Sequence, residues 1–253
     1  MAIIATFGNQ KGGVGKSTLI NQLANYIHFN TDYTVGVIDG DFVQESLSSF
    51  REFDIHKAII AIEEEEKAKG NKVSEELKAI IAEDYRKKCY RLVTRDSKTI
   101  TQTLFEFHDA FNFVLIDLPG SLLGEGVIAL YNFFDYVFVP MDITFKDMDS
   151  SKKFLDMYDV RVRPGRQMQN RECNVYGVYN KVKEGTVEFK QRDAKVKEMG
   201  IKIPFMKNYI TETNKLKRDD NTLEVVRLEG IKNPEMIENF CKEAVELMSN
   251  GKN

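Results

Sequence analysis

Residues 7–18 read Phe7-Gly8-Asn9-Gln10-Lys11-Gly12-Gly13-Val14-Gly15-Lys16-Ser17-Thr18. The stretch follows the apolar run Ile3–Phe7, which reads as a buried strand. It opens into Lys16–Phe29, where Leu19, Ile20, Leu23, Ala24 and Ile27 recur at helical spacing. A glycine-rich loop between a strand and a helix N-terminus is the setting in which backbone N–H groups wrap phosphate oxygens. Glycines 12, 13 and 15 let the backbone curl with no Cβ in the way, and Gly12 to Thr18 form the expected cradle. Within it, Lys16 is expected to reach the β- and γ-phosphates and the Ser17 hydroxyl to ligate Mg²⁺. The positive end of the helix dipole adds to the attraction. Gln10 stands where the general G-x-x-x-x-G-K-[ST] pattern has glycine, and a second lysine, Lys11, precedes the glycine pair.

Outward from this loop, apolar β-rich runs alternate with helical patterns. Thr34–Ile38, Phe113–Ile116, Tyr136–Val139 and Val175–Tyr179 read as strands, with Arg91–Thr94 a further candidate. Near-continuous Val/Ile/Phe runs belong to strands covered on both faces, as in parallel sheets. Repeated strand–helix units predict an α/β fold: a doubly wound, mostly parallel sheet flanked by helices in three layers. Between Gln44 and Lys88 the pattern is helical and charged, broken at Gly70–Asn71, and predicts two helices. The run Glu63–Glu66 reads as a solvated helix face rather than a metal site. One domain over 1–253 accounts for the pattern.

Composition narrows the classes. The chain has 253 residues, 42% hydrophobic and 30% charged, which excludes disordered and collagen-like readings. No apolar run approaches the ~18 residues of a membrane-spanning helix. Met1–Phe7 is short, lacks a basic leader and runs into a polar loop, unlike a signal peptide. Cys89, Cys173 and Cys241 are widely spaced and form no C-x-x-C pair, which argues against a disulfide framework or a zinc site. A cytoplasmic protein is expected.

Three more motifs sit at strand ends, the edge where doubly wound sheets bind ligands. Asp39-Gly40-Asp41 closes the second strand, although two carboxylates there also suit a helix cap. Phe113–Ile116 runs into Asp117-Leu118-Pro119-Gly120, a Walker B arrangement in which Asp117 holds Mg²⁺, with helix capping the alternative. The Pro-Gly turn would lie beside the γ-phosphate as a switch. Val175–Tyr179 ends in Asn180-Lys181, where an amide can read a base edge or simply form a turn.

With Lys11 ahead of Gly-Gly-Val-Gly-Lys-Ser, the sequence resembles the deviant-Walker ATPases of the ParA/MinD group, a branch of the P-loop NTPases. Asn9-Gln10 is similar to the ParA branch. Length and the Asp117–Gly120 motif resemble the ParA-like, TraA-labelled proteins of plasmids and conjugative transposons. The resemblance covers the whole chain in order: P-loop, Asp39-x-Asp41, Walker B, the Val139-Pro140 strand end and Asn180-Lys181.

What the resemblance implies is a set of roles. Lys11 would cross a nucleotide-sandwich homodimer to touch the partner's phosphates. Asp41 would orient the attacking water and Asp39 would sit near the metal, while Phe42-Val43 departs from the family's residues before Gln44. Asn180 would read adenine, with the backbone about Pro204 beside the base. The implied activity is Mg²⁺-dependent ATP hydrolysis coupled to dimerisation and to nonspecific DNA binding, serving partition or transfer of a plasmid, chromosome or mobile element with a ParB-like or mobile-element partner. The helix-turn-helix domain of the larger partition ATPases, and autorepression through it, are not expected here.

Charge distribution suits that role. Residues 1–150 carry a net −8, residues 151–218 a net +9 and residues 219–253 a net −4. The basic third could form a DNA-facing surface, with Lys215, Lys217, Arg218, Arg161, Arg163 and Arg166 as candidates, or be scattered solvated side chains. Three other readings compete. A MinD-like membrane cycler needs a basic amphipathic tail, whereas Pro234–Met248 shows an apolar stripe among acidic residues, as in a helix packed on the sheet. A P-loop synthetase acting on a small carboxylate needs substrate residues that are not evident. A nucleotide-gated regulator of conjugation shares every motif.

Overall fold

The computed structural model describes residues 1–40, 46–96, 99–120, 125–214, 216, 221–226 and 228–251, the side chains of Ser46, Glu125 and Phe145 apart. In chain order the elements are β1 (Ile3–Phe7), α1 (Lys16–Asn30), β2 (Val35–Asp39), α2 (Ser46–Ala68), α3 (Glu75–Lys88), β3 (Arg91–Thr94), α4 (Ile100–Ala110) and β4 (Phe113–Asp117). They continue with α5 (Glu125–Leu130), β5 (Tyr136–Met141), α6 (Phe145–Arg161), α7 (Arg163–Met168), β6 (Asn174–Tyr179), α8 (Val187–Lys190), α9 (Arg192–Glu198) and α10 (Met236–Asn250). The six strands pair in parallel in the order β3-β2-β4-β1-β5-β6, so the sheet expected to be mostly parallel is wholly so among the described residues.

Side-chain alternation builds two apolar layers from the same strands. Ile3, Ala5 and Phe7 of β1, Phe113 and Leu115 of β4, and Tyr136 and Phe138 of β5 face the layer with α1 and α10. Ile4, Val114, Ile116, Val137 and Val139 face the opposite layer with α4, Tyr131 and α6. Every residue of β1, β2, β4 and β5 is buried, which is why those strands read as continuous apolar runs. The edge strand β3 is only partly covered.

Helix α1 buries Leu19, Ile20, Leu23, Ala24 and Ile27 against the sheet, together with the polar side chains of Asn21, Gln22 and Asn25. The amides are paid for by the segment at 221–226. Asn21 Nδ2 donates to the Asn221 carbonyl (2.7 Å), Asn25 Nδ2 to the Glu224 carbonyl (2.6 Å), and Gln22 Oε1 accepts the Val226 N–H (3.0 Å). Asp54 on α2 accepts both the backbone N–H and the hydroxyl of Thr222 (2.9 and 3.0 Å). The long connection between α9 and α10 is thereby fastened to two helices.

The helix expected over Pro234–Met248 is present as α10 and buries Met236, Ile237, Phe240, Cys241, Ala244, Val245 and Met248. Its apolar stripe is covered by α1 and the sheet. No described helix is long and apolar enough to cross a membrane. The glutamate run on α2 lies along a partly exposed face, where Lys69 pairs with Glu65 and Glu66 and Lys78 of α3 pairs with Glu63. Cys89, Cys173 and Cys241 are free thiols.

Candidate phosphate-binding site

The loop between β1 and α1 is shaped by two glycines in the left-handed region, Gly13 (φ 70°) and Gly15 (φ 98°), the latter standing immediately before the helix. No acidic residue occupies the first turn of α1, so its N-terminal field is not neutralised locally. Gly12 and Gly13 are exposed, Val14 is buried, and Ser17 and Thr18 are half-buried. Lys16 is buried although charged. A Cβ placed on Gly120 would lie 3.2 Å from the Lys16 ammonium nitrogen, 3.6 Å from the Gln10 carbonyl and 3.7 Å from the Gly12 nitrogen. The turn after β4 therefore packs on the loop, with the ammonium between them.

Asn9 fixes the entry to the loop. It is buried; its Nδ2 donates to the Pro140 carbonyl (2.8 Å) and to Ser151 Oγ on α6 (2.9 Å), and its Oδ1 accepts the Lys11 N–H (2.9 Å). The last bond is an Asx turn, which an aspartate could not combine with two donations. The Val139-Pro140 strand end thus supplies a carbonyl that holds the loop. Lys11 ion-pairs with Asp147 in the first turn of α6; Asp147 is buried, whereas Lys11 keeps 38% of its side chain exposed.

The exit is held by the end of β6. Asn180 Nδ2 donates to the Val14 carbonyl (2.7 Å), Asn180 Oδ1 accepts the Lys181 N–H (2.9 Å), and the Lys181 ammonium donates to the Gly13 carbonyl. Tyr179 stacks on Phe205 (centroids 4.5 Å apart) and donates to Asp193 (2.8 Å). Burial first, and then that bond to a carboxylate, raise its phenol above the ordinary tyrosine range.

Asp39 and Asp117 stand in register on adjacent strands, both buried. Asp39 Oδ2 accepts the backbone N–H groups of Leu47 (3.0 Å) and Ser48 (3.2 Å), so it caps α2 from the preceding strand. One of its oxygens thus serves the helix, beside the supporting place near a metal expected of it. Asp41 and Gln44 lie outside the described residues, as do Lys215, Lys217 and Arg218.

Pro204 lies alongside β6. Its carbonyl accepts the Gly177 N–H (2.8 Å), three residues before Asn180, and it is Ile210 that runs level with Tyr179 and Val182 (2.9 and 3.0 Å). Arg166 is removed from the basic-face candidates. It is buried, and its guanidinium donates to the carbonyls of Tyr131, Asn132 and Glu172, tying α7 to the loop before β5. Arg161 and Arg163 are exposed, Arg163 pairing with Asp159. Sequence reasoning assigned nothing to Asn9, Asp147, Ser151 or the Lys181 side chain. The signals on offer were the position of Asn9 inside the loop motif and of Lys181 beside Asn180 at a strand end.

The site thus offers backbone donors, a buried ammonium, a hydroxyl and two strand-end carboxylates around one glycine loop, which suits the phosphates of a nucleotide. Comparisons agree in fold. A family profile described as AAA domain matches residues 1–163. No curated protein matched the sequence. Among solved structures, a Borrelia burgdorferi B31 protein described as a plasmid partition protein, bound to AMPPNP, is 19% identical with a TM-score of 0.60, over 98% of this chain and 100% of that one. A Cyanothece McdA–ATP complex is 14% identical with a TM-score of 0.65 (97% and 96%), and pNOB8 ParA bound to nonspecific DNA is 14% identical with a TM-score of 0.54 (100% of each). By its profile match and its sheet order the chain belongs to the AAA domain family, and its fold is that of the ParA/MinD-type P-loop ATPases.

Proposed function

We propose that this protein is a cytoplasmic ParA-type ATPase that binds ATP with Mg²⁺ between two copies of itself and engages DNA without sequence preference, to move or maintain a plasmid or mobile element. The observation that carries the reading is the pair of lysines on one loop. Lys16 is buried against the turn after β4, whereas Lys11 is half-exposed at the loop's outer side and held by a single carboxylate. A cation in the first position serves phosphates in cis; one in the second is available to a facing copy. In that arrangement Lys11 would neutralise charge on the partner's transferring phosphoryl group, as an added cation does in other phosphoryl transfers.

Gly12, Gly13, Val14, Gly15 and Thr18 would supply the phosphate cradle and Asn180 the base contact. Ser17 and Asp117 offer the hard oxygens Mg²⁺ prefers, with Asp39 behind them, and the ion would neutralise phosphate charge. Asp41 would orient the attacking water. The similar proteins bound to AMPPNP, to ATP and to nonspecific DNA support the nucleotide and DNA parts of this reading.

DNA pelleting with ATP, with ADP and without nucleotide tests it. Binding is expected with ATP alone and should weaken steeply with salt, because each neutralised phosphate releases counterions; equal binding in all three rejects it. In light scattering with ATP and Mg²⁺, Lys11→Ala is expected to stay monomeric and Asp41→Ala to accumulate dimer. Asp147→Ala should act oppositely to Lys11→Ala. Freeing Lys11 from a partly exposed pair worth about 0.5–1 kcal/mol raises the dimer fraction two- to fivefold at subsaturating ATP.

A MinD-like reading draws on the Aquifex aeolicus MinC:MinD complex, 17% identical with a TM-score of 0.59. The burial of the α10 stripe in the core weighs against a lipid-binding role for that helix.

A further inference from the structure

We infer that Lys181 and Asn180 are positioning residues that hold the phosphate loop in its anion-receiving form before any nucleotide arrives. The inference rests on the nucleotide reading above and extends it to the Lys181 side chain, whose ammonium holds a carbonyl of the loop itself. A trans peptide points its C=O and the next residue's N–H in opposite directions, and the chain has no described cis peptide. The Gly13 carbonyl is held by the Lys181 ammonium and the Val14 carbonyl by Asn180 Nδ2. With both carbonyls drawn toward the end of β6, the Val14 and Gly15 N–H groups turn the other way, into the loop. Two consecutive N–H groups are thereby left on the side of the loop away from the end of β6, where an anion can meet them.

Three further observations support the assignment. Asn180 is buried, and its Nδ2 lies 2.6 Å from where a Cβ on Gly15 would stand, so the loop and the strand end are in tight register. Lys181 itself occupies the left-handed region (φ 57°), a conformation that a side chain rarely adopts. Such local strain persists where its surroundings over-determine it; here Asn180 Oδ1 binds the Lys181 N–H and fixes that backbone. Finally, the strand end is braced from behind by the Ile210 pairing and by the Tyr179–Phe205 stack, so the two clamps are mounted on a rigid support.

The test compares wild type, Lys181→Met and Lys181→Arg. Calorimetry reads ADP and ATP affinity with Mg²⁺, thermal unfolding reads stability, and ¹⁵N relaxation of the nucleotide-free protein reads the order of the loop amides. Lys181→Met keeps the apolar stem and loses the donor. It should weaken ADP and ATP by the same factor, about five- to tenfold, because it lowers the fraction of loops in the receiving form. Lys181→Arg should restore most of that loss. Melting temperature should not move, while the amide order parameters at Val14 and Gly15 should fall. Wild-type affinity in Lys181→Met overturns the inference. So does a loss confined to ATP, which would mark a direct γ-phosphate contact instead. If wild type takes up neither nucleotide, the nucleotide reading fails, and loop order in the free protein judges the clamp alone: unchanged order parameters in Lys181→Met overturn it.

Discussion

Gly15→Ala is expected to reduce nucleotide affinity about ten- to a hundredfold while leaving the fold intact. Gly15 sits at φ 98°, where an alanine pays a steric cost of about 1–2 kcal/mol. The new methyl group would also stand 2.6 Å from Asn180 Nδ2, and the side chain can yield only by loosening its bond to the Val14 carbonyl. A lost hydrogen bond of this kind adds about 0.5–1.5 kcal/mol. Both costs fall on one conformation of a surface loop, so the chain relieves them by leaving that conformation rather than by unfolding. Affinity then falls with the fraction of loops still competent, and every ~1.4 kcal/mol is a factor of ten. Calorimetric titration with ADP checks it, alongside circular dichroism to show the helices unchanged. Gly13→Ala is the informative companion: it too has positive φ, but no atom lies within 4 Å of the added methyl, so it should lose less.

What could be read from the sequence follows from where physics is local. The strands and α1 were legible because total burial writes itself as unbroken Val/Ile/Phe runs and helical burial as a 3.6-residue period. The phosphate loop was legible because glycine, lysine and serine are each required at fixed offsets. Helix α4, to which the sequence reading gave no range, buries Ile100, Leu104 and Phe107 on one face. The partners of those motifs were not legible. Asn9 meets Ser151 across 142 positions, and Asn180 meets Val14 across 166. Such contacts are products of the sheet order, which brings the ends of β1, β5 and β6 side by side. Arg166 shows the converse error. A linear charge sum counts it as a surface cation, yet three backbone carbonyls solvate it internally. The capping role of Asp39 was an open alternative in the sequence, and the backbone N–H groups of Leu47 and Ser48 select it for one of the two oxygens.

Phe240→Ala is expected to be the most destabilising single change considered, at about 3–5 kcal/mol. Phe240 is fully buried on α10, with its ring centroid 6.2 Å from that of Phe7 on β1, which in turn lies 5.3 Å from Phe138 on β5. Truncation removes the ring's transfer free energy and leaves a hole lined by rigid strand residues that cannot collapse into it. For a chain of this size the loss corresponds to a drop of roughly 6–20 °C in melting temperature. Phe105→Ala on α4 is the control: that ring is 61% exposed, so the change should fall within about 0.5 kcal/mol of zero. The measurement decides more than stability. Were α10 free to leave the sheet and lie on a lipid surface, its apolar stripe would contribute little to the folded state, and Phe240→Ala would cost less than about 1 kcal/mol. A large loss, together with no binding of the wild type to anionic vesicles, makes α10 a structural element of the nucleotide-binding domain and removes the lipid-binding role that a MinD-like cycle would give it.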